Sequence, residues 1–175
     1  MLSLILVLAV VVGEGRAAEE GKKNLKNDPL KVADQLVEME VSPSHKFSFD
    51  WMTKGVIQHL DRKYTYDVIP AELLNGLLFQ GIHRPPKGTK VKINLLAAAK
   101  IYVFFHHGVD GGYSEIFLKL KGWKRAKEAP QYDIHNGDHG LEMVMYQMDA
   151  KAGTYEIPPT TKGRGCFNIV FQAGE

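Results

Sequence analysis

Apolar residues recur along the chain at two spacings, which predict a short helical segment followed by a long β-rich segment. Asp28 and Pro29 form a typical helix start, because an aspartate can cap the first turn and a proline fits its first position. Apolar residues at helical spacing follow, and they predict an amphipathic helix that ends near Met39. From Phe47 onward, apolar and polar residues alternate instead, which is the pattern of half-buried β-strands.

The β-rich segment is predicted to form an antiparallel β-sandwich. Residues 101–105 are apolar on both faces, as expected of a central strand that is covered on both sides. Turn sequences such as the Pro-Pro-Lys-Gly of residues 85–88 separate short strands, and no helix-length pattern lies between them, which favours an all-β sandwich or barrel. The predicted strands cover residues 47–51, 64–69, 77–80, 89–95, 101–105, 115–120, 141–148, 154–157 and 165–172.

The N-terminal stretch has the features of a secretory signal peptide. Residues 2–12 are almost continuously apolar, but a helix of that length spans only about 16 Å, too short for a hydrocarbon core of about 30 Å. Gly15 and Ala17 then supply the small residues that a signal peptidase reads. We therefore predict a signal peptide at 1–17, a charged segment with the short helix at 18–45, and one β-sandwich domain at 46–175. The protein is expected to be secreted, the alternative for the apolar stretch being a buried N-terminal strand or helix.

Composition narrows the classes of partner. The chain is 45% hydrophobic and 24% charged, which excludes disorder throughout. Lys and Arg number 22 against 20 Asp and Glu, so charge gives no case for a nucleic-acid partner. The single cysteine, Cys166, has no partner for a disulfide within the chain. It lies in a predicted strand and we expect it to be buried, an intermolecular disulfide being the alternative.

Motifs for catalysis and for metal binding are weak. Serine-hydrolase elbows, phosphate-binding loops and the His-Glu-x-x-His zinc motif do not occur in the sequence. His106 and His107 are adjacent in a predicted strand, so their side chains should point to opposite faces. His135 and His139 have helical spacing, but the Asn-Gly between them indicates a turn. We therefore predict no metal site and no cofactor, and we favour a non-enzymatic protein.

Loop aromatic and polar residues are the better candidates for function. Saccharide rings stack on exposed aromatic side chains, while neighbouring polar groups hydrogen-bond their hydroxyls. Trp123 follows a predicted strand among basic residues, where a core tryptophan is less expected; its alternative role is to fold back and cap the sandwich. Trp51, by contrast, is expected in the core. The predicted ligand-binding residues are Trp123, Arg125, Asp110, Tyr113, His135, Asp138 and His139.

Four segments carry a family resemblance. They are Pro-Pro-Lys-Gly-Thr-Lys-Val-Lys-Ile-Asn-Leu at 85–95, Lys-Ile-Tyr-Val-Phe-Phe-His-His-Gly at 100–108, Leu-Lys-Gly-Trp-Lys-Arg at 120–125, and the hairpin at 146–158 that ends at a proline. Their order resembles the galactose-binding-like accessory β-sandwich modules of secreted carbohydrate-active proteins. The resemblance covers residues 85–171, implies a jelly-roll-like sandwich and glycan binding, and transfers no individual binding residue.

Three functional hypotheses follow. The first is a secreted, non-enzymatic protein that binds carbohydrate at a cell surface or in extracellular matrix. The second is an extracellular structural protein that acts through protein–protein contacts, in which Cys166 could link chains. The third is a metal-dependent enzyme that uses the loop histidines.

Overall fold

The computed structural model describes residues 27–160 and 165–174, and the predicted signal peptide at 1–17 lies outside these residues. The helices are α1 (Pro29–Leu36) and α2 (Tyr113–Phe117), with a 3-10 turn at Ala71–Leu73. The strands are β1 (Val37–Ser42), β2 (Ser48–Trp51), β3 (Thr65–Val68), β4 (Leu77–Gln80), β5 (Lys90–Leu95), β6 (Ala99–His106), β7 (Lys124–Arg125), β8 (Gln131–Asp133), β9 (Leu141–Ala150), β10 (Gly153–Ile157) and β11 (Asn168–Ala173).

These strands form a small and a large antiparallel sheet. The small sheet has the order β1-β5-β10. The large sheet has the order β2-β4-β11-β6-β9-β8-β3, and β7 pairs with β9 beside this path. The structure thus confirms the predicted antiparallel β-sandwich with a short helix near the N-terminus. No helix among the described residues is both long enough and apolar enough to cross a membrane.

One core lies between the two sheets. In β5, Val91, Ile93 and Leu95 are buried while Lys90 and Lys92 are exposed, as their alternation predicts. Burying one such aliphatic side chain contributes roughly 1.5–3 kcal/mol, so this alternation fixes which face of β5 meets the large sheet. The large sheet contributes the inward side chains of its central strands, and Trp51 is buried in the same cluster, as expected.

A second core covers the opposite face of the large sheet. Tyr102 and Phe104 of β6 are buried there beside Met145 and Val170 of the neighbouring strands. Tyr66 of β3 covers this cluster, with its ring edge-on to Phe104 at 5.8 Å between centroids. The central strand β6 is therefore buried on both faces, as its continuous apolar sequence predicts.

Helix α1 begins as predicted and ends earlier. The Asp28 carboxylate accepts a hydrogen bond from the Leu30 backbone N–H at 3.0 Å, and Pro29 occupies the first position. The helix stops at Leu36, because Val37 begins strand β1 opposite Leu95 of β5. The predicted continuation to Met39 was wrong, since backbone pairing with the edge of β5 replaces the last helical turn.

The predicted strand at 115–120 was also wrong, because its first residues belong to helix α2. The Asp110 carboxylate accepts two backbone N–H groups and so stabilises the helix start. Tyr113 and Phe117, four residues apart, are both buried on one face of the helix. Leu118, which the alternating pattern would bury, is 70% exposed.

Candidate functional site

Two of the predicted binding residues pack against the core between the sheets. Tyr113 is completely buried, with its ring stacked on Phe105 at a centroid distance of 5.5 Å, and it has no surface to offer a ligand. Trp123 is half-buried, with its ring edge-on to Phe117 at 4.8 Å. Its position matches the alternative role of capping the sandwich.

Asp110 and Arg125 share this neighbourhood. Asp110 uses its carboxylate to hold the start of α2, and Arg125 is exposed in β7. Both act electrostatically on the hydroxyl of Tyr146. Burial is the main reason that the pKa of Tyr146 is raised, while Arg125 opposes this rise and Asp110 adds to it.

The remaining predicted residues lie on the β8–β9 hairpin around Asp133. The His135 backbone N–H donates to Asp133 Oδ1 at 2.6 Å, and His139 Nδ1 lies 2.7 Å from Oδ2. The hydrogen bond from the His135 backbone is the first reason that the pKa of Asp133 is lowered. Asp138 has an exposed side chain, and its carbonyl accepts the Ile134 N–H at 3.3 Å.

The two groups of predicted residues are separated along strand β9. Arg125 pairs with Tyr146, whereas Tyr132, beside Asp133, pairs with Leu141. Five residues of extended strand span about 17 Å. The hairpin group and the Trp123 group therefore do not form one compact site around a small ligand.

Arg125 lines an open groove of about 540 Å³. Its lining includes an apolar segment, Val68 to Pro70 at the end of β3, and it also includes hydrogen-bonding and charged groups of both signs. The lining residues are Val68, Ile69, Pro70, Ala71, Arg125, Ala126, Lys127, Glu128, Ala129, Gln131, Glu142, Met143, Val144 and Met145.

A second cluster of chemically active side chains lies at one end of the large sheet. Strand β11 lies between β4 and β6 and is antiparallel to both, so the ends of β4 and β6 flank the start of β11. His83 follows β4, His106 ends β6, and Cys166 precedes β11. His59, in the connection between β2 and β3, lies beside His83 and His106, with ring centroids 5.2 and 5.8 Å away. We call these four residues the sheet-end cluster.

The donor atoms of the sheet-end cluster lie close together. One nitrogen each of His59 and His83 and the sulfur of Cys166 lie within 4.8 Å of one another. His106 Nδ1 lies 3.8 Å from Cys166 Sγ, and its Nε2 lies 3.1 Å from Gln58 Oε1. Because the amide oxygen can only accept, His106 Nε2 donates to it, and Nδ1 keeps its lone pair toward the sulfur.

Burial sets the protonation of this cluster. It lowers the pKa of His59 well below its ordinary value and that of His106 to about 4, with neighbouring histidines adding to both effects. Burial also lowers the pKa of His83, which Arg62 and Arg84 reinforce. The three imidazoles are therefore neutral near pH 7. Burial raises the pKa of the Cys166 thiol to about 11, which makes it a poor nucleophile at that pH.

Two of the four residues in this cluster were expected near their observed positions. Cys166 was predicted to be buried, and the structure confirms it at 6% exposure. His106 was placed at a strand end, with its side chain opposite to that of His107, and it is buried while His107 is exposed. His59 and His83 were not singled out, because the cluster spans more than a hundred residues and only the strand order brings it together.

Comparisons with known proteins show a likeness of fold. No protein-family model matches the chain, and no curated protein does. Among solved structures, the chain is similar to a β-glucuronidase from glycoside hydrolase family 2, with a TM-score of 0.61 and 14% identity. The match covers 78% of this chain and 14% of the β-glucuronidase chain. The resemblance to β-sandwich modules of carbohydrate-active proteins is therefore supported at the level of the fold.

Proposed function

We propose that the protein is a non-enzymatic carbohydrate-binding module that acts outside the cell, after export directed by residues 1–17. The observation that carries the proposal is the groove containing Arg125. Its volume of about 540 Å³ lies within the range of roughly 300–1,000 Å³ typical of ligand sites.

The lining of the groove offers both kinds of contact that a saccharide needs. A sugar ring presents C–H groups on its faces and hydroxyl groups around its edge. Val68, Ile69 and Pro70 supply apolar groups for the ring face. Arg125 and Lys127 can donate hydrogen bonds and Glu142 can accept them, so hydroxyls can bind in either role.

The fold likeness supports this proposal from a second direction. The similar protein is a β-glucuronidase, which acts on a glycoside, and the chain matches only a domain-sized part of it. Binding without chemistry fits the groove, because no serine, threonine or cysteine lines it and its two lining carboxylates, Glu128 and Glu142, are both exposed.

A glycan array tests the proposal. The purified chain is expected to bind a subset of neutral or acidic glycans, and Arg125→Ala should weaken that binding about 10- to 100-fold, because a hydrogen bond to a charged group contributes about 1.5–3 kcal/mol. Lys87→Ala removes a cation from an exposed turn outside the groove and is the matched control. Failure to bind any glycan, or equal binding by the two variants, would refute the proposal.

A further inference from the structure

We propose that His59, His83 and Cys166 bind a transition-metal ion that prefers sulfur and nitrogen ligands, zinc(II) first among them, with His106 as the fourth donor. This site is separate from the groove and does not depend on glycan binding. It also departs from the expectation, based on sequence motifs, that the protein has no metal site.

The unpaired nitrogens of His59 are the strongest observation for a ligand. His59 is 1% exposed, and neither Nδ1 nor Nε2 has a hydrogen-bond partner. His83 Nδ1 is likewise buried without a partner. A buried polar group without a partner costs about 1–3 kcal/mol, so such groups are rare and call for an explanation. A metal ion at their centre would accept one lone pair from each ring and remove that part of the cost.

The donor set has the right size and chemistry for zinc. Zinc bonds of about 2.0–2.1 Å to nitrogen and 2.3 Å to sulfur place tetrahedral ligands roughly 3.3–3.6 Å apart. The donor atoms of His59, His83 and Cys166 lie within 4.8 Å of one another, and His106 Nδ1 lies 3.8 Å from the sulfur, so side-chain shifts of about 1 Å would close the site around the first three donors. Each imidazole offers one ring-nitrogen lone pair, and the ion replaces the thiol proton, which leaves to solvent.

The surrounding side chains complete the site. The hydrogen bond from His106 Nε2 to Gln58 holds the ring so that its Nδ1 faces Cys166. Outer-shell partners orient metal ligands in this way. The Asp61 carboxylate accepts the His83 backbone N–H at 2.7 Å and pairs with Arg62, so it holds in place the segment that carries His83. The Cys166 thiolate would offset one of the two charges of the ion.

An ion at this position would fasten four separate parts of the chain. The β2–β3 connection, the ends of β4 and β6, and the segment before β11 each contribute one donor. With His59 and Cys166 almost fully buried, the site suits a closed structural role better than an open catalytic one. Metal binding should therefore raise the stability of the whole sandwich.

Another cluster, Asp67, Asp133 and His139, supplies an internal control. Its potential ligand atoms also lie within 4.8 Å of one another. It differs in chemistry, because it has two carboxylates and no sulfur, and in exposure, because the His139 side chain is 65% exposed. Cobalt(II) distinguishes the two clusters, since only ligation by Cys166 can produce a thiolate charge-transfer band.

The experiment titrates cobalt(II) and then zinc(II) into the purified chain, reduced and stripped of metal by a chelator. We expect one equivalent of cobalt(II) to give tetrahedral visible bands and a thiolate charge-transfer band, which zinc(II) abolishes, and zinc(II) to raise the melting temperature. Cys166→Ser should remove the thiolate band. Cys166→Ser and His83→Gln should each weaken binding at least about 100-fold, beyond the 10–100-fold effect of outer-shell partners.

Two further variants keep the test decisive. His139→Gln removes the competing cluster and should bind as the unmodified chain does, as should His45→Gln, at a half-buried position outside both clusters. Circular dichroism checks that each variant is folded, and the partly exposed His83 is the ligand whose replacement disturbs the core least. The proposal is overturned if folded protein gives no thiolate band, or if His139→Gln abolishes binding and His83→Gln does not.

Discussion

At the scale of single residues, Tyr113 combines a closely packed aromatic ring with a buried hydroxyl group that lowers the stability of the core between the sheets. Its ring stacks on Phe105 and meets Phe167 edge-on, with centroids 5.5 and 5.4 Å away. Its hydroxyl is buried without a hydrogen-bond partner. Burial is the main reason that the pKa of Tyr113 is raised, and the nearby Cys166 adds to it.

We expect Tyr113→Phe to stabilise the protein by about 1–3 kcal/mol at neutral pH, because it removes the unpaired hydroxyl and keeps the ring. The effect should also depend on alkaline pH. The pKa of Tyr113 is higher in the folded than in the unfolded protein, so the unfolded state loses its proton first and stability falls as the pH rises above about 10. Urea unfolding between pH 7 and 11 should show a shallower alkaline decline in the variant.

Tyr155→Phe is the control for this substitution. The Tyr155 hydroxyl donates to the Lys151 carbonyl at 2.9 Å at an exposed position, so its loss should cost no more than about 1 kcal/mol at neutral pH. Destabilisation by Tyr113→Phe as large as that by Tyr155→Phe would contradict the account of Tyr113.

At the scale of elements, a close backbone approach fixes the segment before β11. A Cβ atom on Gly165 would lie 2.8 Å from the Tyr113 ring and 2.9 Å from the Asp110 carbonyl oxygen. The absence of a side chain therefore lets this segment lie against the loop before α2. The contact places the next residue, Cys166, beside His106.

Gly165→Ala should destabilise the protein by about 1–3 kcal/mol, because the backbone must move to accommodate the methyl group. Gly81→Ala is the matched control, since its Cβ would meet Phe79 at an ordinary 3.6 Å. Chemical denaturation should give a lower midpoint for Gly165→Ala and only a small change for Gly81→Ala. Equal midpoints would show that the backbone before β11 can move to accommodate a methyl group without loss of stability.

Helices and strands with a regular spacing of apolar residues could be predicted from the sequence. Those whose conformation depends on contacts with other parts of the chain could not. The alternation in β5 and the continuous apolar run in β6 each follow from the faces that those strands bury. Strand β1 was missed because Val37 continues the apolar spacing of the helix, although Val37, Met39 and Val41 alternate with polar residues as a strand paired with β5 requires. Helix α2 was missed because Asp110 and the following glycines start a helix within an alternating sequence.

The candidate sites also differ in how far local sequence could predict them. Arg125 was predicted from composition around a strand exit, which is local information, and it lines the groove. Tyr113 was predicted as a binding residue because it is an aromatic residue near a loop, and the turn of α2 instead directs it inward. The sheet-end cluster depends on β11 lying between β4 and β6, which no local pattern in the sequence encodes.

At the scale of the whole molecule, the burial of Cys166 bears on whether chains are linked covalently. The thiol is 6% exposed, and burial raises its pKa to about 11. A rise of about two units above the ordinary value lowers the thiolate fraction near neutral pH roughly 100-fold. We therefore expect a monomer on non-reducing electrophoresis, and thiol labelling at least about 100-fold slower in native than in urea-unfolded protein, both with chelator present.

The Cys166→Ser variant is the reference for that experiment and should migrate as the unmodified chain does. A dimer that forms in the unmodified chain and is lost in Cys166→Ser would instead support the structural-protein hypothesis, with Cys166 as the link. Rapid labelling of the native protein would show that the segment before β11 opens readily.

The position of β11 in the large sheet has a consequence for biosynthesis. This strand pairs with β4 and β6 on its two sides, yet it comes after every other described strand in the chain. Until it emerges from the ribosome, β4 and β6 each present an unpaired edge, and such edges recruit other chains. The nascent protein must therefore delay closure of its larger sheet, so we expect it to depend on chaperones during synthesis, and truncation before residue 168 to yield aggregates rather than a smaller folded domain.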